Sequence, residues 1–160
     1  MRVEKHLKFR PKKTYYPKVL QSSLRKKAIK KIIMRLLPNI GIVKIILIGS
    51  SVKNTFGEYK SPGFRGSLYS DFDFIVFVKD DYKIPKWLIR QPTAKPFLDN
   101  GLNLAYRNKR FVDRKYDVEV FFIRERNMNN REFQKLAEKA GISMSKKSRH
   151  KHLVVYGVES

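Results

Sequence analysis

The chain has no cysteine, which excludes disulfides and every thiolate metal site. No apolar run approaches the about 20 residues that a membrane-crossing helix needs. The basic N-terminus adjoins no apolar signal core, so a cytoplasmic protein without a membrane partner is expected. Acidic residues are scarce: 14 Asp and Glu stand against 36 Lys and Arg in 160 residues, a formal net charge of +22. Such a charge attracts polyanions, whether nucleic acid, an anionic membrane surface or an acidic protein. Nucleic acid is the partner expected here. The 42% hydrophobic content nevertheless supports a globular fold, and the length suits one domain.

Residues 1–21 read as a basic N-terminal arm. Glu4 is its one acid, and Pro11 and Pro17 interrupt any helix. Phe9, Tyr15 and Tyr16 lie among its cations. That mixture suits phosphate attraction with base stacking, or equally a docking of Tyr15, Tyr16 and Leu20 onto the domain. Ser22 or Ser23 can cap a helix running to about Leu37, with Leu24, Ala28, Ile32 and Leu36 as its buried stripe. Its other faces are basic. Pro38 and Gly41 end it, and a strand follows at Val43–Ile48. Gly57, Pro62, Gly63 and Gly66 predict a loop. Asp71–Val78 reads as a second strand, and a short helix fits Lys86–Arg90. Trp87 suits a core or lid contact better than a base platform. Leu102–Arg107 and Lys115–Ile123 read as strands joined near Asn108 and Lys109. An amphipathic helix spans Asn129–Ala140. A basic tract, Ser145–His152, precedes a last strand at Leu153–Val158. Its His150 and His152 lack further ligands for a metal, so phosphate contact or exposure fits them better. The expected fold is α/β or α+β, with a mixed sheet of about four to five strands flanked by helices.

The few acids fall where they are least expected. Asp71 and Asp73 sit in an apolar strand, although Asp is a poor strand former. Residues two apart on a strand share a face, so the two carboxylates point the same way. Asp117 and Glu119 repeat the arrangement in Tyr116–Ile123. Hard divalent cations bind clustered carboxylate oxygens, so a shared metal explains the pattern. The first strand ends in Gly49, Ser50 and Ser51. There a glycine turn permits close backbone approach, and a helix start would favour an anion. Lys53, Lys60 and Arg65 follow, where they could contact phosphates or simply be solvated.

This ordered set resembles the polymerase β-like nucleotidyltransferase superfamily. The shared features are an apolar strand, a Gly-Ser turn (Gly49, Ser50), an Asp-x-Asp strand (Asp71, Asp73) and a later carboxylate strand. Glu119 is assigned to that last position, with Asp117 the competing choice. The stretch from Gly49 to Asp71 is longer than in compact members. The resemblance covers roughly residues 32–124 and implies a minimal nucleotidyltransferase-like domain at 22–160.

By that resemblance, Asp71, Asp73 and Glu119 would bind two Mg²⁺ ions, with Mn²⁺ as a substitute. Gly49, Ser50, Ser51 and Lys53 would hold a nucleoside triphosphate such as ATP. A nucleoside monophosphate would pass to a hydroxyl acceptor, RNA before DNA. Lys12, Lys13, Lys26, Lys27, Lys30, Lys146, Lys147 and Arg149 are the residues expected to hold that nucleic acid. Two other readings stand beside this one. The scaffold could bind nucleic acid without turnover, or serve as an antitoxin-like or ribonucleoprotein subunit beside a protein partner.

Overall fold

The computed structural model describes residues 11–62, 67–91, 105–139, 141–142 and 148–158. Its elements in chain order are β1 (Lys13–Tyr15), α1 (Lys18–Leu36), β2 (Ile42–Ile48), α2 (Ser50–Lys53), β3 (Gly57–Tyr59), β4 (Phe72–Val78), β5 (Ile89–Gln91), β6 (Ala105–Val112), β7 (Tyr116–Arg124), α3 (Glu125–Met128), α4 (Arg131–Lys139) and β8 (Leu153–Tyr156). The fold is mixed α+β. Six strands form one sheet in the order β5-β6-β7-β4-β2-β8, and β1 pairs with β3 in a separate ribbon. The sheet is antiparallel except at its centre, where β4 and β7 run parallel. After β4 the chain moves out to the sheet edge, forms β5 and β6, and returns as β7 beside β4.

Each face of the sheet has its own apolar layer. On one face α1 buries Leu24, Ala28, Ile32 and Leu36, the stripe expected from their spacing of four. They pack with Ile45, Leu47, Phe72, Phe74, Val76, Val118, Val120 and Phe122. On the other face α4 packs Phe133 and Ala137 against Ile46, Ile48, Ile75, Phe77 and Ile123. Asn130 caps α4 by accepting a hydrogen bond from the Phe133 amide at 3.1 Å.

Several boundaries differ from expectation. The first helix starts at Lys18, with Pro17 as its cap residue, and not at Ser22 or Ser23. Proline's fixed φ suits that entry, and the Gln21 amide already bonds the Pro17 carbonyl at 3.0 Å. Lys13–Gln21 is thereby built onto the domain. Gln21 is buried and donates to the carbonyls of Tyr16 and Asn54, while its Oε1 accepts from the Phe56 amide. Gly57–Tyr59 is a strand where a loop was expected. Lys86–Arg90 is not a helix, because Ile89–Gln91 pairs with β6 at the sheet edge. The β6–β7 turn falls at Asp113–Lys115, beyond Asn108 and Lys109, because a register shift lengthens β6 to Val112. The last helix starts at Arg131 and not at Asn129, and the last strand ends at Tyr156 and not at Val158. Arm residues 1–10 lie outside the described residues, as do Arg65, Lys146 and Lys147.

Candidate metal centre

Asp71 and Asp73 alternate with Phe72 and Phe74, which face the α1 layer. The carboxylates therefore project from the opposite face, at the start of β4. The parallel register sets Asp73 directly beside Glu119 on β7. One carboxylate oxygen from each of Asp71, Asp73 and Glu119 lies within 4.8 Å of the other two. Among the described residues, α4 covers this face only further along the strands, over Ile75, Phe77 and Ile123. Asp71 stays 23% exposed and Glu119 10%.

Asp117 has a different role from Glu119. Its Oδ2 accepts from Arg107 Nη1 at 3.0 Å, and its Oδ1 accepts from the Arg110 amide at 2.9 Å. Arg107, on β6 opposite Glu119, is only 3% exposed. Its Nη2 donates to Asp71 Oδ2 at 2.7 Å and stands 3.6 Å from Glu119 Oε2. Burial works against this charge. The hydrogen bond to Asp71 and the charges of Asp71, Glu119 and Asp117 outweigh it and hold the guanidinium pKa above its ordinary value. Arg107 was missed in the sequence, where it is one cation among 36. A usable signal exists: four carboxylates in two apolar strands need a neighbouring cation, and Arg107 shares the period-two pattern of its strand.

The Gly49 turn abuts the cluster. β2 and β4 pair Ile48 with Asp73, so Gly49 follows immediately beside the carboxylate. Its φ is +82°, and a β-carbon there would lie 2.7 Å from Asp73 Oδ2. Glycine is required on both counts. Ser50 opens α2 and is half-buried, Ser51 is buried, and Lys53 is exposed. Arg25 of α1 fixes this turn by donating to the Ser51 carbonyl at 2.6 Å.

The expected nucleic-acid residues are dispersed. Lys26, Lys27 and Lys30 belong to α1, across the sheet from the carboxylates. Lys27 pairs with Asp113 at 3.2 Å. Lys12 is exposed on the β1 side. Lys13 donates to Ser70 Oγ and lies over the rings of Tyr15 and Tyr59. Arg149 is 3.3 Å from Glu138. Trp87 stacks on Phe111 at 5.4 Å, with the Arg35 guanidinium 4.3 Å from its ring, which is a packing position.

The donor set fits a hard divalent cation. All three candidate ligands offer carboxylate oxygens, close enough to share an ion. Arg107 is shared among Asp71, Asp117 and Glu119. No protein-family model matches the chain, and no curated protein matches it.

Proposed function

We propose that the protein is a metal-dependent nucleotidyltransferase, moving a nucleoside monophosphate from a nucleoside triphosphate to a hydroxyl acceptor, RNA in preference to DNA. The observation that carries this reading is the convergence of Asp71, Asp73 and Glu119 against the Gly49 turn. Asp71, Asp73 and Glu119 would hold Mg²⁺. When bound, the metal neutralises phosphate charge and favours ionisation of the acceptor hydroxyl. The acceptor oxygen attacks the α-phosphorus, the bond to the bridging oxygen breaks, and pyrophosphate leaves. Glu119 is assigned the hydroxyl proton. Gly49 and Ser50 are assigned, by the family resemblance, to the β- and γ-phosphates. Arg107 holds Asp71 and Asp117 in place from beneath, a positioning role.

One observation favours a second reading. Arg107 bonds Asp71 directly, so part of the acidic cluster is neutralised without any metal. A nucleic-acid-binding module without turnover would be built this way too. Labelled nucleotides, tested singly with bulk RNA and with single-stranded DNA, with and without Mg²⁺, separate the two. Mg²⁺-dependent incorporation that Asp73→Asn abolishes supports the transferase. Binding of RNA with no incorporation of any nucleotide overturns it.

A further inference from the structure

A second feature adjoins the carboxylates. A cleft of about 280 Å³ is lined by Tyr69, Lys109, Arg110, Lys115 and Asp117, among others. The cations Lys109, Arg110 and Lys115 are exposed. Lys115 Nζ lies 5.0 Å from the centre of the Tyr69 ring. Asp117 connects the cleft to the acidic cluster: it accepts from the Arg110 amide on one side and from Arg107 on the other, and Arg107 reaches Asp71. Arg110 has φ +54°, an unfavourable conformation for a side-chain-bearing residue, and Asp117 holds it there. Beyond Tyr69, a bridge between that residue and Glu58 leads to the β1–β3 ribbon. There Lys13 lies between the rings of Tyr15 and Tyr59.

We infer that this cleft and the adjoining ribbon form the track of a single RNA strand leading away from the carboxylates. Cations alternating with tyrosine rings are the chemistry that single strands use: charge for the backbone and π-faces for the bases. A duplex keeps its bases stacked on one another, so aromatic rings beside the cations favour a single strand. A free triphosphate needs cations but gains nothing from an aromatic path continuing over the ribbon. The direction of the strand, with an end at Asp71 and Asp73, rests on the transferase reading. The track itself does not.

The test uses the full chain and a fluorescent single-stranded oligouridylate, without Mg²⁺, across a salt series. Lys109→Gln/Lys115→Gln removes two exposed charges from the cleft. Lys135→Gln/Lys139→Gln removes the same charge from α4. With about 0.7 per phosphate neutralised, the cleft variant should flatten the slope of log affinity against log salt by about 1.4. The same exponent gives a loss of roughly 25-fold at about 0.1 M salt. The α4 variant should keep the wild-type slope. An unchanged slope in the cleft variant overturns the track, as does an equal change in both variants. Displacement of the oligonucleotide by tripolyphosphate as readily as by unlabelled RNA reassigns the cleft to a nucleotide's phosphates and also overturns it. An equal loss of binding to phosphatidylserine vesicles does the same in favour of a membrane surface. The two proposals fail separately. A flattened slope without nucleotide incorporation keeps the track and loses the transferase. Incorporation with an unchanged slope keeps the transferase and loses the track.

Discussion

The carboxylate of Asp73 occupies the space that a side chain on Gly49 would need, since a β-carbon there would come within 2.7 Å of Asp73 Oδ2. The left-handed φ of +82° at Gly49 adds a second cost for any other residue. Gly49→Ala should therefore destabilise the protein by about 1–3 kcal/mol and displace Asp73 from the cluster. The measurement is thermal unfolding with and without Mg²⁺. A native midpoint that still rises with Mg²⁺ would show that the turn tolerates the methyl group.

Asp73, Glu119 and Asp117 should separate into two classes. Asp73→Asn and Glu119→Gln each remove one charged candidate ligand from the cluster. Stabilisation by Mg²⁺ should disappear in both. For the wild type it should reach about 2.7 kcal/mol when free ion is a hundredfold above its dissociation constant. Asp117→Asn should behave oppositely. It weakens a buried bond to Arg107 and should cost about 1–3 kcal/mol of stability while Mg²⁺ still raises the midpoint. If Asp117→Asn abolishes the Mg²⁺ response while Glu119→Gln leaves it, the roles of the two acids are exchanged.

The contrast between Asp117 and Glu119 marks how far the sequence could be read. Period-two alternation was enough to place Asp71 with Asp73 and Asp117 with Glu119, and the apolar stripe of α1 followed from its spacing. Choosing between Asp117 and Glu119 required the register of β4 against β7, together with the position of Arg107. Register between strands so far apart in the chain depends on tertiary packing, so local pattern does not carry it. The β1–β3 ribbon was hidden for a similar reason. Each strand is three residues long, and Gly57 is there because the Thr14 carbonyl leaves no room for a β-carbon. The start of α1 was misplaced because Ser22 and Ser23 outrank proline as caps, whereas Gln21 needed to be inside the helix to bond Tyr16, Asn54 and Phe56.

Arg107 should be the most sensitive polar residue of the sheet. Its removal leaves Asp71 and Asp117 without their shared cation, and breaking a buried pair of this kind costs about 3–5 kcal/mol. Arg107→Ala should therefore unfold at much lower denaturant than wild type. Arg107→Lys should fall between them, since an ammonium lacks the fork that serves two carboxylates at once. The folded-state pKa of Arg107 is raised, so its stabilising effect is fully present below the unfolded value, which is itself strongly alkaline. The deficit of Arg107→Lys should thus be the same at mildly acid and mildly alkaline pH. A deficit that disappears on acidification to mildly acid pH would assign the effect to another group.

Glu138 supplies a pH-dependent interaction. It accepts from Ser148 Oγ at 2.8 Å and from the Arg149 amide at 3.3 Å, and it pairs with the Arg149 and His150 side chains. Its burial acts to raise its pKa. The bonds from Ser148 and Arg149 and the charges of His150 and Arg149 prevail and lower it from its ordinary value. A depressed carboxylate contributes stability above its unfolded pKa and loses it as pH falls through the folded value. The stability difference between wild type and Glu138→Gln should be present above the ordinary carboxylate range and shrink as pH falls through it. Denaturant titrations of both proteins over that range measure it. A difference independent of pH would mean that ionised Glu138 adds nothing.

Tyr16 joins the N-terminal segment to the core. Tyr16 packs against Phe56 at 6.2 Å and Tyr116 at 6.3 Å between ring centres, and its hydroxyl is 3.0 Å from that of Tyr116. Burial raises the pKa of Tyr116, and its bond to Tyr16 adds to the rise, so the Tyr116 hydroxyl stays protonated near neutrality. The Tyr16 amide bonds the Phe56 carbonyl at 3.0 Å, and Lys13–Tyr15 pairs with Gly57–Tyr59. Tyr16 is half-buried, so Tyr16→Ala should cost roughly 2–3 kcal/mol, less than the about 3–5 of a fully buried aromatic. Tyr16→Phe should cost about 1 kcal/mol by removing the hydroxyl pair. A chain starting at Lys12 keeps the whole ribbon. A chain starting at Lys18 lacks both β1 and Tyr16 and should fall below Tyr16→Ala. Equal midpoints for the Lys12 and Lys18 chains would place the whole segment outside the cooperative unit. The salt slope of RNA binding, measured on the same two chains, then reports whether Lys12 and Lys13 touch phosphate or only brace the ribbon. If they touch it, the Lys18 chain should show a slope shallower by about 0.7 for each phosphate no longer neutralised.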